Sequence, residues 1–482
     1  MNRTRIAKAL EQLLGPERVL RDPERLAPYA QDMTENEPAQ PDFVVKPVTV
    51  EEVQALVQLA NKERVPLTPV VARTNLGGLG IPVEGGIVVD LTEMNRLLAV
   101  DPDAMYALLE PGVTYAQLRQ HLDQHYPDLL TGYPLSPPSS SVLCNCLLDG
   151  LVNLSFRHGS TSRWLNGLEA VLPSGEVVRT GAAALRFGRG GETWFGRGPL
   201  PDLTGLFISW QGTTGIVTKG AVQLWPTPPH RRRLFFLAHA QEQAFQLLRQ
   251  LARTQACDDL GGTSWPLSKL LFGIDRPLEK DPDEPEFFIY LDYSAQTSAE
   301  LAAKEDLIFS LANSAKKRGT ILDGPLDLSL LTQAHPALKR FADFPMTLDF
   351  LLDHPGKGLT WVGCYGPTAN WAEGGRQGQA ILERHRLPPM LVVRAMEGGH
   401  YGVLRFITTF HQADPGQVAL VRQVNSELCD ALLDLGFIPY KAPAWAVRKM
   451  LERLDPGFVA LLRQIKETLD PRRIMNPGRW LL

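Results

Sequence analysis

Apolar residues in the first half of the chain fall in short, strand-length runs separated by breakers. Phe43-Val44-Val45 opens a buried-type strand, and Thr49, with Glu52 three residues on, forms a capping-box start for an amphipathic helix through Glu63. Val65 to Val71 predicts a second strand, ending in the glycine-rich stretch Arg73 to Gly80, and Ile87 to Leu91 predicts a third. Tyr106 to Glu110 reads as a strand, and Thr114 caps a helix over Tyr115 to His125. Tyr133 to Ser141 interleaves prolines with serines, which break regular structure, and predicts a loop. Leu168 to Leu172 and Glu176 to Thr180 flank Pro173-Ser174-Gly175 as a hairpin. The proline cluster Pro226 to Pro229 and the basic run His230 to Arg233 predict a domain boundary. Beyond it, strands (Leu234 to Ala238, Glu286 to Leu291, Leu359 to Cys364) alternate with helices (Gln241 to Thr254, Ala299 to Arg318, Gln417 to Leu435) in an α+β pattern.

Composition sharpens this mainly by exclusion. At roughly 150 residues per domain, 482 residues rule out one small module. The 53 acidic residues slightly outnumber 49 basic ones, so no global positive field exists to attract nucleic acid, and none is expected as a partner. No apolar run reaches the ~18 residues of a membrane span, and the charged N-terminal pattern lacks the apolar core of a signal peptide. A cytoplasmic protein is expected. Five cysteines, an odd number, suggest no disulfide framework, and the C-x-C of Cys144 and Cys146 has no second pair to complete a metal site.

Three glycine-containing loops follow strands in the first half. Glycine lets backbone N–H groups approach a phosphate where a side chain would collide. Arg73 to Leu79 is the best pyrophosphate candidate, although it has neither the G-x-G-x-x-G nor the P-loop pattern, and each loop taken singly reads as a plain turn. Their order is more specific. PDFVVKPVTVEEVQALVQLAN, VVARTNLGGLGIP, YALLEPGVTYAQLRQHL, HGSTSRWLNGLEAVLPSGEVVRTG, GTTGIVTKGAVQLWPTPP and, at the C-terminus, LDPRRIMNPGRW follow one another in the chain. In that sequence of motifs the chain resembles the flavoproteins of the vanillyl-alcohol oxidase and para-cresol methylhydroxylase (PCMH) type.

The resemblance implies an α+β fold: a PCMH-type FAD-binding domain of two α/β subdomains over 1–230, an α+β cap domain with an antiparallel sheet over 231–435, and a return to the FAD-binding domain over 436–482. It implies that Arg73, Thr74, Asn75, Leu76, Gly77 and Gly78 wrap the FAD pyrophosphate, and that Pro138, Ser139 and Ser141 border the cofactor. Gly150, Asn153, Ser155, His158 and Gly159 would run along the ribityl chain and ring, with Gly215, Ile216 and Val217 at the adenine end.

The sequence departs from the phenol oxidisers of the family. Gly77 stands where they have a phenolate-binding Tyr, and Ser160 where they have an acid near flavin N5. Ala395 and Val403 fall at the covalent-attachment positions, so non-covalent FAD is expected, with His400 the nearest nucleophile. Tyr440-Lys441 matches the family's Tyr-Arg pair, and Arg479 its flavin-facing Arg; a cation there favours the anionic reduced flavin. Arg394, with Arg405 beyond a glycine break, would suit a carboxylate if both face the pocket, and His400 is a candidate base. These residues imply an FAD-dependent enzyme, dehydrogenase more than oxidase. It would take a hydride from an activated C–H of a small-molecule substrate to flavin N5 and pass electrons to a cytochrome or other redox protein. The substrate is a 2-hydroxy acid or an alkylphenol or aromatic alcohol; the alternative is a non-catalytic flavin-binding electron-transfer or assembly subunit. A homo-oligomer or a place in a larger complex remains open.

Overall fold

The helix Val50–Glu63 starts at Thr49, whose side chain accepts the Glu52 N–H, and Tyr115–His125 starts at a full capping box between Thr114 and Gln117. The apolar stripe of the first helix (Val53, Leu56, Val57, Ala60) packs on the sheet residues Phe43, Val45, Leu67, Ile87 and Val89. The computed structural model that shows this describes residues 3–185, 191–271, 274, 277–334, 336, 351 and 354–480.

Two sheets form the first half. In one, Val19–Leu20, Phe43–Val45, Ile87–Asp90 and Leu67–Val70 lie side by side in that order, the last three parallel. The other is antiparallel, in the order Leu97–Asp101, Tyr106–Leu109, Ile216–Gln223, Leu165–Val171 and Val177–Arg179. The C-terminal stretch closes onto the parallel sheet: Leu67 donates its N–H to the Ile474 carbonyl and accepts from Asn476, both at 2.7 Å. Buried Lys466 anchors that stretch through Asp470 at 2.6 Å and the Thr213 carbonyl at 2.8 Å.

Between these parts stands an eight-stranded antiparallel sheet, ordered Leu322–Asp327, His230–Ala238, Phe287–Ala295, Asp259–Ser264, Leu391–Met396, Tyr401–His411, Lys357–Gly366 and Ile438–Pro439. Side chains alternate across it. Phe236, Ile289, Val393, Leu404 and Phe406 pack against the helices Gln241–Arg253, Ser298–Lys317, Trp371–Arg384 and Pro415–Asp434. Phe235, Phe288, Val392, Arg394, Arg405 and Ile407 point the other way, into a cavity.

The basic run His230 to Arg233 is the start of a nine-residue strand, because buried Asp292 on the neighbouring strand takes Arg231 at 2.7 Å and Arg233 at 2.5 Å. Among the described residues no helix is long and apolar enough to cross a membrane.

Candidate functional site

Ala72 and Arg73 both take left-handed φ, 53° and 52°, which turns the chain sharply out of the strand Leu67–Val70. Asn75 Oδ1 accepts the N–H groups of Gly77 and Leu79 at 3.0 and 3.3 Å and folds the loop around its own side chain. The N–H groups of Thr74, Asn75 and Leu76 are left without a protein acceptor among the described residues. Glycine is required at 77, since a Cβ there would sit 2.3 Å from the Lys441 carbonyl oxygen.

Three cavities run in line from this loop. The first lies between Pro69 to Gly80 and the turn Gln211 to Gly215, with Val217 in its wall. The second is lined by Thr74, Ser136, Ser140, Ser141, Asn145, Tyr440 and Lys441, and shares Val71, Asn75, Cys144 and Leu148 with the first. The third lies under the cap sheet and shares Leu135 and Arg405 with the second. The result is one elongated groove with hydroxyls and unpaired N–H groups in its middle.

The cap end is electrostatically built. Arg394 and Arg405 are both buried and stand on one face because of register: Arg394 pairs with Val403 and Arg405 with Val392, so the two side chains are diagonal neighbours on adjacent strands. Arg394 donates to Asp259 at 2.7 Å and to the Val152 carbonyl at 2.9 Å. Burial opposes its charge most strongly, but Asp259 and Tyr290 together outweigh it and hold the guanidinium above its ordinary pKa. Among the described residues Arg405 has no carboxylate partner; it donates to the Tyr440 hydroxyl and lies over the Trp361 ring at 4.2 Å. Burial, reinforced by the Arg394 charge, lowers it to about 10. The Nε atoms of both arginines are buried without a partner. Lys441 donates to Asn145 Oδ1 at 2.9 Å, and burial lowers its ammonium to about 8, with the Cys144 thiol opposing and Arg405 reinforcing the fall.

The groove brings together Arg73, Thr74, Asn75, Ser141, Gly215, Val217, Asn153, Arg394, Tyr440 and Lys441. Arg73 contributes backbone; its guanidinium turns away, 4.0 Å over the Tyr29 ring. The other expected residues stand elsewhere. Pro138 and exposed Ser139 lie outside the groove wall, and Ser136 and Ser140 take their place, because Ser140 bonds Thr74 at 2.9 Å. Gly150, Ser155 and Gly159 shape the turns behind Asn145 and Arg163. His158 stacks on Trp225 at 3.5 Å outside the groove, with its pKa lowered to about 4 by burial and then by Arg157. Ile216 and Leu76 are core residues, and Gly77 and Gly78 give the loop its path. His400 is exposed on the turn between the two arginine strands and lines none of the three cavities. Arg479 lines none of the three cavities: its guanidinium donates to the Gly78 and Ile81 carbonyls at 2.6 and 2.8 Å. Asp259 and Tyr290 were missed by sequence reasoning; an aspartate beside Gly261-Gly262 carries no local signal of pairing across a sheet.

The groove fits an extended dinucleotide: a backbone cradle at one end, hydroxyls along the middle, a charged chamber at the far end. Residues 41–181 match the FAD binding domain model, and residues 367–480 match that of the FAD linked oxidases, C-terminal domain. Together they define an FAD-binding flavoprotein. The chain is 32% identical over 223 residues to the flavoprotein subunit of 4-cresol dehydrogenase [hydroxylating] of Pseudomonas putida, covering 45% of this chain and 42% of that one. It is 29% identical to glycolate oxidase subunit GlcD of Bacillus subtilis over 51% of this chain and 50% of that relative, so these matches span half or less of those proteins. With D-2-hydroxyglutarate dehydrogenase of Stutzerimonas stutzeri it shares 28% identity, over 66% of each. The fold follows that of p-cresol methylhydroxylase with substrate bound, with a TM-score of 0.86 at 20% identity over 99% of this chain and 96% of that one. The chain belongs to the PCMH-type FAD-linked oxidase family.

Proposed function

We propose that this protein oxidises a small anionic substrate, of the 2-hydroxy acid class, at its hydroxyl-bearing carbon. In this reading 1–230 and 436–482 hold FAD and 231–435 covers the substrate. The observation that carries it is the pair Arg394 and Arg405 in one buried chamber, each with an unpartnered Nε, which suits a carboxylate. FAD, when bound, would supply the two-electron acceptor that takes a hydride from the hydroxyl-bearing carbon. Thr74 to Leu76 would bind its phosphates through the backbone, and Ser140 and Asn145 would border its middle. Arg405 donates to the Tyr440 oxygen, which leaves the tyrosine O–H free to donate to a group in the second cavity. FAD is held non-covalently in this reading, since Ala395 and Val403, at the attachment positions, carry no nucleophile and no histidine lines the groove among the described residues. Electrons pass to a separate acceptor, a cytochrome or other redox protein.

A second reading, an alkylphenol, draws on the apolar wall of Phe235, Leu267, Leu271 and Phe288. Anaerobic bleaching of the FAD-loaded protein by a panel of 2-hydroxy acids and alkylphenols decides between them: hydroxy acids should bleach it fastest. Bleaching by alkylphenols alone favours the second reading, and none by any member favours a non-catalytic subunit. Acid precipitation of the same sample should leave the yellow colour in the supernatant; a yellow pellet contradicts non-covalent binding.

Lys441 gives the reaction a pH limb. Its cation is present below about 8 and lost as pH rises through that value, so the rate of flavin reduction should fall with a one-proton slope near pH 8. K441M should be slow and flat across this range, and K441R should hold its rate beyond pH 9, because arginine keeps its charge; a limb unchanged in K441M assigns it to another group.

A further inference from the structure

Among the described residues the substrate chamber has one carboxylate in its wall, Asp259. It stands on the strand Asp259–Ser264, where Asp259, Gly261 and Thr263 share the face turned to the chamber. Gly261 pairs with Tyr290 on one side and Arg394 on the other, and a Cβ there would lie 2.6 Å from the Tyr290 hydroxyl and 2.9 Å from Arg394 Cγ. The glycine therefore lets both neighbours lean over the strand beside Asp259.

Asp259 commits one oxygen to the fold: Oδ1 accepts from Arg394 at 2.7 Å. Oδ2 has no hydrogen-bond partner among the described residues and, unlike the Nε atoms of Arg394 and Arg405, it keeps open surface. Arg394 and Arg405 each leave one Nη open in the same way, since only the other makes bonds. A substrate carboxylate on those Nη groups carries its 2-hydroxyl one carbon away, beside the open oxygen of Asp259. The other chamber hydroxyls are poor acceptors of a proton. Those of Thr263 and Tyr133 are bonded to Ser268 and the Tyr115 carbonyl, and burial raises the Tyr290 phenol well above its ordinary pKa and keeps it neutral.

We propose that Asp259 is the general base of the reaction and takes the substrate hydroxyl proton on Oδ2, a role that rests on the hydroxy-acid reading. The O–H bond breaks with its proton passing to Oδ2, and its electron pair becomes the second bond of the new carbonyl. The hydrogen on that carbon leaves with its own pair as hydride to FAD. Asp259 returns the proton to water once the 2-oxo acid has left. The groups around the carboxylate are Arg394 on one neighbouring strand, Tyr290 and Asp292 on the other, Arg233 beyond, and Cys257 and the Arg157–Asp258 ion pair at the start of its own strand. Burial raises its pKa above the ordinary aspartate range and Asp292 adds to the rise, against Arg394 and Arg233, which makes it a stronger base than a solvated aspartate.

The test is anaerobic flavin reduction as a function of pH in wild type, D259N and D259E, with lactate, glycolate and 2-hydroxyglutarate as substrates. Only the carboxylate accepts a proton, so the wild-type rate should fall as pH falls through the Asp259 pKa. With the fastest substrate D259N should react at least about a hundredfold more slowly and lose this acid limb. Binding of the corresponding 2-oxo acid (pyruvate, glyoxylate or 2-oxoglutarate), which has no hydroxyl proton to give, is followed by calorimetry and should stay within about threefold of wild type in D259N. D259E keeps the charge that pairs with Arg394, and with it the fold, and should recover part of the rate with the acid limb displaced. A D259N rate within about tenfold of wild type, an equal loss of 2-oxo acid affinity, or an acid limb at the same pH in wild type and D259E overturns the proposal and leaves the hydroxy-acid reading standing. Wild-type flavin that no hydroxy acid bleaches overturns both.

Discussion

R405M should lower kcat/KM for the oxidised anion by about a hundredfold or more while FAD stays bound, because truncating one side of a buried charge-assisted pair costs about 2–5 kcal/mol. Arg405 is the charge in the chamber that no carboxylate neutralises among the described residues, so the substrate's own charge is its natural partner. Steady-state kinetics on the best substrate of the panel measure it, and R405K should recover only part of the loss, since an ammonium cannot present the planar fork. A change of less than about threefold in R405M would remove Arg405 from substrate recognition and leave it as a prop for Tyr440 and Trp361.

D259A is expected to act on stability first. It leaves Arg394 buried with only the Val152 carbonyl, and removing one partner of a buried pair typically costs about 3–5 kcal/mol. Urea denaturation followed by tryptophan fluorescence should show that loss. The double variant D259L/R394M should regain most of the stability, because an apolar pair of similar volume is often neutral, yet it should not regain activity. Recovery of both would mean that Arg394 supports the sheet and nothing else.

Much of this fold was legible because its signals are local. Thr49 and Thr114 declare helix starts within four residues, and prolines and glycines mark the turns around Pro173 and Tyr133. What was not legible depends on pairing across the sheet. Gly398-Gly399 reads as a break, and only the hairpin register shows that the chain reverses there and brings Arg394 and Arg405 to the same face. Likewise His230 to Arg233 reads as a basic run at a domain boundary, and its place in a strand shows only when Asp292, about sixty positions away, is found between its arginines. The residues behind the groove, Arg479 above all, were expected to face the cofactor because motif order says which residues gather but not which side of a loop each one takes.

The glycine loop also has a consequence for the order of events during synthesis. Its carbonyls at Gly78 and Ile81 are held by Arg479, some four hundred positions later, and Gly77 lies against the backbone of Lys441. A nascent chain that has emerged only through its first half carries the loop and the strand Leu67–Val70 without the Ile474 to Asn476 stretch that completes the edge. The cradle is therefore complete only once the chain through Arg479 has been made, so capture of FAD is expected late rather than while the first half alone has emerged.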